Sequence, residues 1–164
     1  MTAARTGESI GATWDEIDLT TKTWAIPKVR MKAKKGHTVP LNLQALKILN
    51  DMAAIRTNDY VFPSNAKGLS NMAMLTLLRR MDRADITVHG FRSTFRDWAA
   101  ETTAYTNEVV EMALAHTIKN KSEAAYRRGD LFEKRGRLMA DWDRFCNTPM
   151  ASGDVVAFKR LKSE

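Results

Sequence analysis

From Trp14 to Leu41 apolar and polar positions alternate in short runs: Trp14-Asp15-Glu16-Ile17-Asp18, Thr23-Trp24-Ala25-Ile26 and His37-Thr38-Val39-Pro40-Leu41. β-Branched and aromatic residues at a period of two, set between polar turns, predict a small three-stranded antiparallel sheet. Past Leu41 the period lengthens. Leu43, Leu46, Ile48, Leu49, Met52 and Ile55 mark the buried stripe of a helix over 43–55. Met72, Met74, Leu75, Leu77, Leu78 and Met81 mark a second helix, capped by Ser70 or Asn71, with the methionines as core filler rather than a ligand box. Between the two, Asn58 to Leu69 carries Pro63 and Gly68 and is a loop.

Helical spacing resumes over Phe91–Thr103 and Asn107–Leu114, followed by a polar turn at Thr117–Ser122 and a helix carrying Tyr126. Gly129-Asp130 marks a break before a last long helix, with an apolar face of Leu131, Phe132, Leu138, Met139, Trp142 and Phe145, that stops before Pro149. At the other end, Thr2 to Ala4 read as the last turn of a helix whose earlier turns lie upstream, and Thr6 to Ala12 as a short helix. The expected class is α+β, mainly helical, with the three-stranded antiparallel sheet near the N-terminus. Residues 1–149 are expected to form one domain. Residues 150–164, with Val155-Val156-Ala157-Phe158 ahead of Lys159-Arg160, form a tail that frays or docks.

Charge adds what periodicity does not. The 164 residues are 44% hydrophobic and 27% charged, ordinary material for one core, but the formal charge is +7. With a pI near 9.7 the surface suits a polyanion. Nucleic acid stands ahead of acidic membrane, because no basic stretch pairs with a strongly apolar opposite face. One cysteine, Cys146, excludes an internal disulfide and a multi-cysteine zinc site. No apolar run reaches bilayer length and the first residues do not form a signal peptide, so a cytoplasmic location without membrane contact is expected. No Gly-rich phosphate loop or His-Glu-x-x-His motif points to ATP or zinc, and no cofactor is expected.

Candidate chemistry concentrates between His89 and Tyr126. His89 and Arg92 are three apart, so a helix beginning near Gly90 places both on one face of its first turn, where unpaired N–H groups and the macrodipole already attract anions. The arginine fork grips two phosphate oxygens at once. His116 adds a second imidazole and Tyr126 a possible nucleophile in a helical, basic setting. The loop Pro27 to Gly36 is dense in positive charge. Most of its lysines read as a solvated turn that discourages edge pairing, while Arg30, Lys34 and Lys35, with Arg127 and Arg128, are candidates to bind DNA.

With Arg5 and Lys32 added, the ordered set Arg5, Lys32, His89, Arg92, His116 and Tyr126 resembles the active-site series of the tyrosine recombinases, or phage integrase family. Ala4-Arg5-Thr6-Gly7-Glu8 followed by Trp14-Asp15-Glu16-Ile17-Asp18 is similar to the family's first box. Lys32, ahead of Val39-Pro40-Leu41, falls at its hairpin lysine; His89-Gly90-Phe91-Arg92, Leu114-Ala115-His116 and the Tyr126 segment follow in family order. Arg30-Met31-Lys32, His37-Thr38-Val39-Pro40-Leu41 and Ala125-Tyr126-Arg127-Arg128-Gly129-Asp130 resemble integrases of prophages and genomic islands.

The resemblance implies that Tyr126 attacks a DNA phosphodiester to form a 3′-phosphotyrosyl link, with no ATP and no metal. Arg5 and Arg92 would clamp the non-bridging oxygens and Lys32 would protonate the leaving 5′-oxygen. His89 would assist proton transfer at the tyrosine, His116 would hydrogen-bond the phosphate, and Glu8 would orient Arg5 or His89. The implied partners are double-stranded DNA attachment sites, a homotetramer on DNA that is a monomer or weak oligomer alone, and an accessory DNA-bending protein. It also implies a bacterial, nucleoid-associated setting, and a catalytic domain separated from the family's core-binding and arm-binding domains. The competing readings are a non-catalytic basic DNA-binding module, as in a decayed prophage remnant, and a basic interaction protein whose tail pairs with a neighbouring chain.

Overall fold

The computed structural model describes residues 1–65, 67–116 and 129–149. It is an α+β fold with a three-stranded antiparallel sheet in the order β1-β2-β3. The strands are β1 (Ile17–Asp18), β2 (Thr23–Ile26) and β3 (His37–Pro40), with Trp24 opposite Val39 and Ile26 opposite His37. The alternation of the sequence is realised on β2, where Trp24 and Ile26 are buried and Ala25 is exposed. Before the sheet lies α1 (Thr6–Ile10). After it come α2 (Leu43–Ala54), a small hairpin β4 (Pro63–Ser64) and β5 (Lys67–Gly68), α3 (Ala73–Arg80), α4 (Gly90–Thr102), α5 (Asn107–Ala113) and α6 (Phe132–Asn147).

Two apolar clusters hold these elements. One joins the sheet to α2 through Trp24, Ile26, Met31, Val39, Leu41, Ala45, Leu49 and Val61. The other joins α4, α5 and α6 through Phe95, Trp98, Val109, Val110, Leu114, Leu138, Met139 and Trp142. Phe95 stands edge-on to Trp142, their centroids 5.4 Å apart, a favoured aromatic geometry. Phe95 is fully buried, so Phe95→Ala should cost about 3–5 kcal/mol through lost transfer energy and a cavity, read as a lower urea midpoint at unchanged slope.

Polar ties join the two clusters. Asn42 caps α2 by accepting from the Ala45 N–H at 2.9 Å, and its amide donates to the Met139 carbonyl of α6 at 3.1 Å. Asp143 of α6 accepts from the Gln44 N–H at 3.2 Å. Arg135, only 1% exposed, donates to the Thr38 carbonyl on β3 and to Asp130, each at 2.7 Å. Sequence pattern gave no sign of this, since a buried arginine on a helix looks like any solvent-facing cation.

The structure departs from the periodicity at several points. Trp14–Glu16 is a 3-10 turn rather than strand, because Glu16 turns inward to accept from Trp24 Nε1 at 2.9 Å. The segment Thr2–Ala4 is not helical; Ala3 is left-handed (φ 49°), and its carbonyl accepts from Arg92. On α2 the buried face is centred on Ala45 and Leu49, with Leu46 and Met52 half-buried, while Leu43, Ile48 and Ile55 point outward. The α3 helix begins at Ala73 behind Met72, without a side-chain cap from Ser70 or Asn71. Of the three methionines, Met74 is half-buried, while Met72 and Met81, at the two ends of the helix, are exposed, and Leu78 is the buried contact. The loop at 58–69 contains the β4–β5 hairpin, with Gly68 placed where a Cβ would meet the Ile10 carbonyl at 2.9 Å. The expected polar turn at Thr117–Ser122, the helix carrying Tyr126 and the tail 150–164 lie outside the described residues.

Candidate functional site

The site forms where the N-terminal segment, α4 and the end of α5 converge. His89 precedes α4, and the first turn closes through the Arg92 N–H to the His89 carbonyl at 3.0 Å. Just ahead of it the Thr87 hydroxyl accepts from the Gly90 N–H at 3.1 Å. The two side chains of that turn differ in burial: Arg92 is 6% exposed, whereas His89 is open to solvent.

The last carbonyls of a helix lack intrahelical partners. Here they receive the two arginines. Arg92 Nη2 donates to the Leu114 carbonyl at 2.7 Å, and Arg5 Nη2 donates to the next carbonyl, Ala115, at 3.3 Å. Two guanidiniums remote in sequence are therefore held side by side at the negative end of one helix dipole. Burial and the neighbouring Arg5 charge both push the Arg92 pKa down, with Glu8 and Glu111 opposing. Arg92 also lies 3.3 Å from His116 Nε2. Ala115 adopts a left-handed backbone (φ 51°), and this turn carries His116 back over the helix end.

Glu8 is buried and grips Arg5 twice, accepting from Nη1 at 2.8 Å and from the backbone N–H at 2.7 Å. Arg5, Arg92, His116 and Glu8 thus come together, with His89 at the exposed rim. Lys32 follows Met31, whose burial in the sheet cluster anchors one side of the β2–β3 loop. Lys32, Lys34 and Lys35 are all exposed on that loop. Arg30 differs from its expected role: its guanidinium contacts the Glu16 carboxylate and the Glu8 carbonyl, so it braces α1 against the sheet instead of reaching outward for DNA. Tyr126, Arg127 and Arg128 lie outside the described residues.

Sequence reasoning missed three polar groups here. Glu111 accepts from Arg96 Nε and contacts His116 Nδ1, each at 2.7 Å. The available signal was spacing: Arg96 is one helical turn beyond Arg92, and Glu111 sits in the last turn of α5. His37 opens β3 beneath the cluster, and its buried Nε2 has no hydrogen-bond partner among the described residues.

Burial pushes the His37 pKa down to about 4; the Arg135 charge acts the same way, while Glu8 opposes. Unfolding restores an ordinary value near 6.5, so between roughly pH 4 and 6.5 the unfolded chain binds more protons than the folded one. Stability should accordingly rise with pH across that window and be lost on acidification, by up to about 3 kcal/mol from this group. The check is urea unfolding at pH 7 and pH 4.5, where His37→Gln should flatten the difference.

Two guanidiniums beside an imidazole, at the rim of a basic α+β fold, define a domain suited to gripping a phosphate ester. Residues 1–130 match the phage integrase family. The chain belongs to that family, the tyrosine recombinases, and is related to prophage integrases. It is 37% identical over 147 residues to the prophage integrase IntA of Escherichia coli K12, covering 87% of this chain and 35% of that protein. With the integrase of enterobacteria phage P4 it shares 30% identity over 161 residues, covering 87% of this chain and 37% of the phage protein. It thus spans just over a third of the length of these relatives. In fold it is similar to the crystal structure of XerA recombinase, with a TM-score of 0.60 at 19% identity over 87% of this chain and 54% of that one. Among the described residues, no helix is long and apolar enough to cross a membrane.

Proposed function

We propose that this chain is the catalytic domain of a site-specific DNA recombinase of the integrase type, acting in prophage or island integration and excision. The observation that supports this reading most is the capture of Arg5 and Arg92 on the successive carbonyls of Ala115 and Leu114, with His116 at 3.3 Å from Arg92. A phosphodiester entering there replaces those carbonyls as acceptor of the guanidinium N–H groups, and the charge growing on its non-bridging oxygens is met by donors already in place.

In the proposed step the Tyr126 oxygen forms a bond to phosphorus while the bond from phosphorus to the 5′-oxygen breaks. The product is a 3′-phosphotyrosyl link and a free 5′-hydroxyl. His89, exposed at the rim, assists removal of the phenolic proton, and Lys32 on the β2–β3 loop supplies the proton to the leaving 5′-oxygen. Glu8 holds Arg5 in the clamping orientation. Lys34, Lys35, Arg127 and Arg128 contribute to phosphate contacts. One ester is exchanged for another, so no ATP is consumed, and the two guanidiniums supply the charge that a metal ion would otherwise bring. The partners are double-stranded attachment-site DNA, further copies of the chain as a tetramer on DNA, and an accessory DNA-bending protein, in the bacterial cytoplasm.

The test is incubation with a nicked duplex that loses its 5′-hydroxyl fragment after cleavage, in buffer with chelator and without ATP. A protein–DNA species that survives a denaturing gel is expected. A shift on a native gel with no covalent species would identify a DNA-binding module without chemistry.

A further inference from the structure

Around His116 the charged neighbours come from three elements. Arg92 and Arg96 extend from α4, Glu111 from the end of α5, and Arg5 with Glu8 lie beyond Arg92. The two ring nitrogens meet opposite chemistries: Nδ1 is 2.7 Å from Glu111 Oε2, and Nε2 is 3.3 Å from Arg92 Nη2. Glu111 is itself fixed, since its other oxygen accepts from Arg96 Nε at 2.7 Å.

We propose that Glu111 is a positioning residue for His116: it keeps the ring proton on Nδ1 and, anchored by Arg96, aims Nε2 into the phosphate clamp. An ionised carboxylate only accepts, so the nitrogen facing it must carry the hydrogen. A neutral imidazole has one N–H, and once Nδ1 carries it, Nε2 presents a lone pair. That lone pair suits the Arg92 N–H opposite. Although burial opposes ionisation of Glu111, its hydrogen bonds to Arg96 and His116 prevail and hold its pKa below the ordinary carboxylate value. With the ring tethered from behind, only Nε2 is left to face the reacting phosphate. When the imidazole takes up a second proton, the same nitrogen becomes a donor to a phosphate oxygen without any rotation of the ring.

The catalytic value of this arrangement rests on the recombinase reading, but the position of the proton does not. The test is imidazole 15N–1H correlation on the DNA-free protein at a pH where the ring is neutral, with His116 assigned by comparison with His116→Gln. Wild-type His116 should carry its hydrogen on Nδ1. Glu111→Ala should raise the share of rings with the hydrogen on Nε2, since only the Arg92 N–H then favours a lone pair there. Glu111→Gln, whose single acceptor oxygen must serve both Arg96 and His116, should fall between the two. On the nicked duplex, Glu111→Ala should slow adduct formation about 10- to 100-fold, the scale of losing a residue that orients a ligand, with DNA affinity unchanged. Glu111→Gln should recover part of that rate. A wild-type ring with its hydrogen on Nε2, or no change in Glu111→Ala, would overturn the proposal. A tautomer that switches as expected in a protein that forms no adduct would establish the Glu111 contact and refute recombination.

Discussion

Tyr126→Phe should abolish the covalent protein–DNA species while leaving folding and DNA affinity unchanged. The substitution removes one oxygen atom, the proposed nucleophile; a phenyl ring offers phosphorus nothing to bond. Affinity should persist because binding is distributed over many phosphates and the net charge of +7 is untouched. The chain has three tyrosines, and the structure weighs against a substitute. Tyr105 donates to Asp141 at 2.7 Å, and burial followed by that bond pushes its pKa up to about 12, which makes it a poor nucleophile. Tyr60 is half-buried beside Gly68, its Cδ1 2.7 Å from where a Cβ on that glycine would sit. The readout is a denaturing gel beside a native gel on the same nicked duplex.

Arg92→Ala should reduce the rate of adduct formation by about 100- to 1,000-fold, the cost of deleting one donor aimed at transition-state charge. DNA affinity should fall only by the share of one phosphate contact, read as a salt-dependence slope smaller by about one. Arg92 also satisfies the carbonyls of Ala3 and Leu114, so the alanine variant should be less stable, by about 1–3 kcal/mol for each group left unpaired. Arg92→Lys separates the two effects. It retains the charge, but a single ammonium cannot reproduce the fork, so cleavage should remain well below wild type while affinity recovers. Equal losses of cleavage and affinity in both variants would make Arg92 an ordinary DNA contact.

Elements whose pattern follows from local chemistry were legible in the sequence. The sheet was visible in the β-branched and aromatic residues of β2 and β3, and α4 in the spacing of Phe91 to Thr103. Asp130, read as a break, ends in a side chain that accepts from the Phe132 N–H at 3.1 Å as α6 begins. The residues Arg5, Glu8, Arg92 and His116 were legible because their order resembled a known series, and the fold brings them together. Elements decided by tertiary contact were not. Glu16 and Arg30 read as surface charges of a strand and a loop, yet they pair with each other beneath Trp24. Arg135 reads as a solvent-facing residue of α6 but holds β3 by the Thr38 carbonyl. The apolar residues of α3 promised a buried stripe that Met72, Leu77 and Met81 leave exposed. A period says which residues share a face, and only the packing partner says whether that face is covered.

In the proposed reaction one phosphorus atom is held by Arg5, Arg92 and His116 opposite the oxygen of Tyr126. The most direct test is to trap the adduct on a nicked duplex, digest the protein with trypsin, and identify the DNA-linked peptide by mass spectrometry. A single modified peptide is expected, with the 3′-phosphate esterified to Tyr126. Attachment at Tyr60, Tyr105 or any other side chain would contradict it, as would a protein that binds the duplex and forms no link at all.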